Sequence, residues 1–169
     1  THKDCHDTKA ELLQLWFHEL TRTYCDRLVL NDQEFVLKVM DEVQKTTLNE
    51  TNDDVFELAE TLYLGNFLDA NNFYSELEVE EVRLHMEGHV ENTKLFKHEA
   101  TEICKLMRVL TIDDGHMICL GWNELTIEKL ASLCSIESKM NVMKLSMDDV
   151  VTGKWKKKLR TVFKTCGMN

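Results

Sequence analysis

The sequence predicts a helix-rich α/β chain, in which a helical first half is followed by the opening of an incomplete parallel sheet layer. Three observations predict it. Proline is absent where average usage would give roughly eight, and only six glycines occur in 169 residues, so rigid turns are few. Apolar residues recur at helical spacing along most of the chain. In the latter half, short apolar runs alternate with helical stripes in the order helix, strand, helix, strand, helix, which favours a parallel layer.

Taken in order, Thr8 followed by Glu11 is a capping box, in which hydroxyl and carboxylate satisfy free N–H groups at a helix start. Leu13, Trp16, Phe17, Leu20, Tyr24 and Leu28 form a stripe that predicts a helix from Thr8 to Leu28. Asn31 with Glu34 reads as a second start signal, and Phe35, Val36, Val39, Met40 and Val43 give the next apolar face. The two helices would make an antiparallel hairpin across a short turn. The polar run from Thr46 to Asp54 is the best linker.

A short helix is expected over Val55 to Thr61, ending before Gly65, and the asparagine-rich stretch from Asn66 to Ser75 reads as loop. Val79, Val82, Met86 and Val90 are helically spaced, although Gly88 weakens that helix. Phe96, Ala100, Ile103, Met107 and Leu110 stripe a stronger one. Asp113, Asp114 and Gly115 signal a turn, after which His116 to Leu120 suits a buried strand. A helix from Glu124 to Ile136 presents Ile127, Leu130, Ala131 and Cys134, and Val142 to Met147 is a second candidate strand. Trp155, Leu159, Val162, Phe163 and Cys166 mark the last helix, closed by Gly167.

Bulk properties exclude several classes. Apolar residues make up 43% of the chain, enough for a core. Thirty acids against twenty bases argue against broad nucleic-acid binding. Six of those bases fall from Lys154 onward with no acid among them, a run that reads as a solvated helix face. With no run of 18 apolar residues, no membrane span is expected. The six cysteines contain no C-x-x-C pair and read as reduced, buried thiols of an intracellular protein. The opening Thr-His-Lys-Asp reads as a cut inside a longer protein.

Chemistry-bearing patterns are sparse. Cys119, Leu120, Gly121 and Trp122 lead into a helix where a phosphate-binding loop would sit. Such a loop needs several glycines whose backbone N–H groups close around phosphates, a lysine for the β/γ-phosphates and a Ser/Thr for magnesium. Here one glycine is followed by Trp122, Asn123, Glu124, Leu125 and Thr126, so an ordinary strand–turn–helix corner is the plainer reading. His85 and His89 share a helix face, but Glu87 is misplaced for H-E-x-x-H and no third ligand is evident, so no metal site is assigned. Cys5, His6 and His2 could catch a metal at a terminus. The pairs His18–Glu19 and His98–Glu99 point about 100° apart on their helices and do not converge on one substrate. No catalytic residue is assigned.

Leu15, Trp16, His18, Glu19, Arg22, Asp26, Arg27 and Leu28 together resemble the L-W-x-H-E-x-x-R-x-x-x-D-R-L helix of dynein heavy chains, found in the lid of the ring's third AAA+ module. Gly65-Asn66-Phe67 with Tyr74 is similar to the family's F-G-x-F…Y connector. Phe96-Lys97, Arg108-Val109-Leu110 and Gly115-His116 resemble the run entering the fourth module's first strand. Trp155 and Leu159 through Gly167 resemble that module's W-x-x-x-L…G helix.

The resemblance implies AAA+ lid helices followed by the first part of a P-loop-type α/β module. Residues 1–48 would be the lid of the preceding module, 49–92 a connector, and 93–169 the N-terminal part of the next module. It also implies a microtubule motor whose parent ring uses ATP/ADP and Mg, with neighbouring AAA+ modules, other dynein subunits and microtubules as partners, and no nucleic acid or membrane. The expected setting is the cytoplasmic cytoskeleton, with an axoneme favoured. In the family the Gly121 position opens a G-x-G-G-S-G-[KR]-x-S loop; here only Gly121 and Thr126 survive as vestigial nucleotide contacts, so no cofactor is expected at this corner. Gln14 stands where relatives often carry arginine and Lys158 where they often carry an acid. Arg22 and Arg27 would either approach a nucleotide of the preceding module or pair with Asp26 or Glu19. Without the family, Trp16, Phe17 and Phe35 would form the partner groove of a helical adaptor, though at helical spacing they are more often core.

Overall fold

A computed structural model describes residues 8–48, 55–69, 73–112, 115–121 and 123–167. The elements run α1 (Lys9–Leu20), α2 (Leu30–Val43), α3 (Val55–Thr61), β1 (Leu64–Gly65), β2 (Ser75–Glu76), α4 (Val79–Glu87), α5 (Lys97–Leu110), α6 (Glu124–Glu137), α7 (Met147–Val151) and α8 (Trp155–Cys166). Two compact units divide between Ser138 and Lys139. None of the described helices is long and apolar enough to cross a membrane.

α1 begins as its sequence dictates. Thr8 Oγ1 accepts the Glu11 N–H at 3.2 Å, and the Glu11 carboxylate accepts the Thr8 N–H at 3.1 Å. The helix then widens into a π-helical turn over Thr21–Cys25. That extra residue shifts the phase of the stripe. Cys25 turns inward and Tyr24 is left 49% exposed, contrary to the α-period expectation. Phe17, His18, Thr21 and Arg22 are the buried face, so three of these four residues are polar.

α2 starts one residue before the expected Asn31, with Val29 as its cap and no side-chain cap bond. The side-chain lock comes from Gln33, whose amide donates to the Cys25 and Leu28 carbonyls at 3.1 and 2.9 Å and so closes the turn between the helices. Leu37 and Met40 face the core, while Phe35 is 68% exposed. A second π-helical turn, Gln44–Leu48, occupies the start of the expected linker; the rest of that linker lies outside the described residues. Gln44 is fully buried there, and its amide finds no partner among the described residues.

Short segments around β1 connect two cores. Leu62 and Leu64 join Phe17, Cys25, Leu37 and Met40 on one side. Tyr63, between them, joins Val82, Met86, Ile103, Met107 and Leu133 on the other. Extended backbone sends successive side chains to opposite faces, which is how three residues serve both clusters. β1 pairs antiparallel with β2, Leu64 opposite Glu76 and Gly65 opposite Ser75. A side chain at Gly65 would meet Leu77 Cδ1 at 2.7 Å, so any larger residue there would have to shift the buried Leu77 side chain.

α4, α5 and α6 build the larger core. Glu87 accepts from Arg83 and from the Leu95 N–H at 2.8 Å, tying the α4–α5 loop shut. Glu99 accepts the Phe96 N–H at 2.9 Å and pairs with Lys129 of α6 at 2.5 Å. Burial pushes the Glu99 carboxyl up, but the Lys129 bond outweighs it and holds the group below its ordinary range.

The two segments read as strands are not paired among the described residues. His116 to Leu120 runs without regular structure, with Ile118 88% and Leu120 92% exposed rather than buried. Val142 to Ser146 is likewise irregular, and Met147 opens α7. A strand of a parallel layer is stabilised by neighbours on either side and helices on its faces. The described residues supply no such neighbour; their sheet is the two-stranded β1–β2 pair.

In the smaller unit, Ser146 and Asp149 cap α7 reciprocally at 3.0 and 3.2 Å. Lys158 of α8 reaches Asp149 at 2.6 Å and the Lys144 carbonyl at 3.1 Å, which gives this departure from the family pattern a structural role. The Lys158 and Ser146 bonds hold the Asp149 carboxyl at about 2. Trp155, Leu159 and Val162 are half-buried, and Phe163 is exposed.

Candidate functional site

The corner that leads into α6 is built from Gly121, Asn123 and Thr126; Trp122 lies outside the described residues. Asn123 is the N-cap of α6, its Oδ1 accepting the Leu125 N–H at 3.1 Å and the Thr126 N–H at 3.4 Å. An anion at a helix N-terminus would bind those same orphan donors. A Cβ on Gly121 would touch Ile127 Cδ1 at 3.1 Å, so the backbone there lies against an apolar side chain. Glu124 adds an exposed negative charge in the first turn. Lys129 of α6 is engaged with Glu99.

Thr126, Ile127 and the segment His116 to Leu120 line a cleft of about 810 Å³, whose other wall is the π-helical turn after α1 together with α5. Its cations are largely committed. Arg22 donates to the Ala59 carbonyl, pairs with Asp26 at 3.3 Å and lies 4.9 Å from the centre of the Tyr63 ring. Lys105 pairs with Glu102 at 2.8 Å. Arg108 binds Glu19 at 2.5 Å and Thr23 at 3.2 Å. Arg27 lies over the Tyr24 ring at 6.0 Å. Of the two readings for Arg22, pairing with Asp26 is the one found.

Behind this wall, the motif helix carries a polar hub. His18 Nε2 accepts the Leu64 N–H at 3.1 Å, which leaves the imidazole proton on Nδ1, 3.1 Å from Glu19 Oε1. Adjacent helix residues therefore do meet here, because the carboxylate folds back onto the ring; the contact is structural. Tyr74 donates to the same Glu19 oxygen at 2.7 Å. Burial lowers the His18 pKa and keeps the ring neutral. Burial raises the Glu19 carboxyl, yet His18, Arg108 and Tyr74 outweigh it and hold the group far below its ordinary range. Burial and the Glu19 charge push the Tyr74 hydroxyl up.

Other sequence candidates divide. Cys25, Cys104 and Cys134 are buried free thiols, the last two pushed up to about 12 by burial, whereas Cys119 and Cys166 are exposed. Cys5, His6 and His2 lie outside the described residues. Phe17 is core, which removes it from an adaptor groove. His85 and His89 do find a third group, Glu137 at the end of α6. Sequence spacing carries no signal for it, since the carboxylate arrives from an element 48 residues beyond His89.

A model of the P-loop containing dynein motor region D4 matches residues 92–169, and a model of the AAA+ lid domain matches residues 1–59. A lid-domain match over the helical first part, followed by a motor-region match over the rest, marks the chain as similar to an AAA+ segment. Dynein heavy chain-like protein 2 of Plasmodium falciparum is 28% identical over 99% of this chain. Dynein axonemal heavy chain 2 of Mus musculus is 25% identical over 86%, and the cytoplasmic dynein heavy chain of Paramecium tetraurelia 24% over 95%. Over nearly its whole length the chain is similar to dynein heavy chains, with the lid-domain match ahead of the dynein motor-region match. It spans 3% to 4% of the length of these relatives. No solved structure matches it.

Proposed function

We propose that the chain is a structural, force-transmitting segment of a dynein-like microtubule motor ring and does not turn over ATP at its own Gly121–Thr126 corner. Residues 1–48 act as the lid of the preceding, third module, 49–92 as connector, and 93–169 as the start of the fourth. Neighbouring AAA+ modules of the same heavy chain are its direct partners, while ATP/ADP, Mg, microtubules and other dynein subunits belong to the parent. The setting is cytoskeletal, and the departures at Gln14 and Lys158 favour an axonemal parent.

The carrying observation is the cap on α6. Asn123 already takes the Leu125 and Thr126 N–H groups that a phosphate would need, and Glu124 stands beside them. Arg22, Arg108 and Lys105 of the adjoining cleft are held by Asp26, Glu19 and Glu102. A triphosphate would have to displace a cap worth about 1 kcal/mol and draw arginines from existing pairs, with no glycine cradle to offset this. Cryo-electron microscopy of the full heavy chain in saturating ATP tests the reading. Nucleotide density is expected at other modules and none beside Gly121. An adenine nucleotide at this corner, with affinity lost in Thr126→Ala, would instead establish a binding module with an unusual loop.

A further inference from the structure

His85 sits in the last turn of α4 and His89 just beyond its end, so the two rings share one side of the chain. Their centroids are 5.1 Å apart and perpendicular. Both Nε2 atoms point at one oxygen of Glu137, 2.7 Å from His85 and 2.6 Å from His89. The three ligand atoms lie within 4.8 Å of one another. The side chains are 41%, 25% and 15% exposed, so a hydrated ion reaches the cluster from solvent while the carboxylate stays largely shielded.

We infer that His85, His89 and Glu137 form a binding site for a borderline divalent cation, zinc foremost, which clasps the end of α4 to the end of α6. Two imidazoles and one carboxylate are a zinc donor set with a fourth position open to water. Calcium and magnesium favour all-oxygen shells and fit these ligands poorly. Tetrahedral coordination at about 2.0–2.1 Å places ligand atoms roughly 3.3 Å apart. The two imidazole–carboxylate contacts, at 2.7 and 2.6 Å, need to open by about 0.6–0.7 Å, within the reach of side-chain rotation. The clasp is not a hydrolytic centre, because Glu87, the acid between the histidines, is engaged by Arg83, Lys94 and the Leu95 N–H. It stands apart from the Gly121 corner and does not depend on whether that corner binds nucleotide.

The test is zinc titration of the metal-stripped full chain against a chromophoric chelator, paired with cobalt substitution. One tight ion bound through this cluster and a visible cobalt d–d spectrum without a thiolate charge-transfer band are expected. His85→Ala and His89→Ala should each weaken binding by more than the roughly tenfold to hundredfold that outer-shell changes cause. His98→Ala, an exposed histidine on α5, should leave it unchanged. Should either alanine variant misfold, Glu137→Gln keeps the shape and removes the charge, and it should weaken the site as well. Retention of full affinity in these variants, a thiolate band, or no tight zinc would overturn the inference.

Discussion

His18 shows how one buried polar residue can fix a helix that packing alone would leave loose. Its Nε2 must stay unprotonated to accept from Leu64, and its Nδ1 proton is donated to Glu19. The folded-state pKa lies below the ordinary imidazole value of about 6.5. The sign follows from linkage: above that value both states are neutral and the contribution is complete. As pH falls through it, the unfolded chain takes up a proton that the folded chain refuses, so stability declines. Glu19, with its depressed pKa, contributes above the ordinary carboxylate range and loses that contribution only at lower pH. Between pH 7.5 and 5.5 the unfolding temperature should therefore fall, and His18→Gln should flatten the slope even though it lowers the absolute value. Equal slopes in the two proteins, measured by circular dichroism melts, would remove His18 from this role.

Elements show where sequence periodicity was a sufficient guide and where it was not. Gly115 follows α5, and a Cβ there would stand 2.0 Å from the Val109 carbonyl oxygen and 3.0 Å from that of Ile112. Those atoms are backbone at a helix end and cannot rotate away, so Gly115→Ala should cost about 1–3 kcal/mol, as overpacking does. A chemical denaturation midpoint unchanged by the substitution would contradict this. The turn signal at this glycine was legible, as were α3, α5, α6 and the Thr8 cap, because local pattern and tertiary burial agree there. The faces of α1 and α2 were less legible. A π-helical turn inserts one residue into the period, and the buried set includes His18, Thr21, Arg22 and Gln44, which hydropathy assigns to solvent. The hairpin of β1 and β2 is two residues deep, too short to leave an alternating pattern. Of the candidate site, Gly121 and Thr126 are visible in the sequence as a sparse corner, whereas the Asn123 cap and the approach of Glu137 depend on where a side chain points in the folded chain.

At the scale of the whole molecule, the exposed run from His116 to Leu120 connects fold and proposed function. Ile118 and Leu120 project into solvent, and no ladder bonds engage this segment among the described residues. An apolar β-prone segment with free backbone donors is a surface that pairs when a neighbour is supplied. If residues 93–169 open an α/β module of the fourth AAA+ unit, strands of that module should flank this run in the full heavy chain. Amide exchange then separates the two situations. In the 169-residue chain alone, the amides of residues 117–120 should exchange almost as fast as an unstructured peptide. In the full heavy chain they should slow by at least about a hundredfold, equivalent to roughly 2.8 kcal/mol of local opening free energy. The interior of α6 serves as the control and should be protected in both. Rapid exchange of residues 117–120 in the full heavy chain would mean that this run is not a strand of the ring, and the assignment of residues 93–169 to the fourth module's sheet would fall with it.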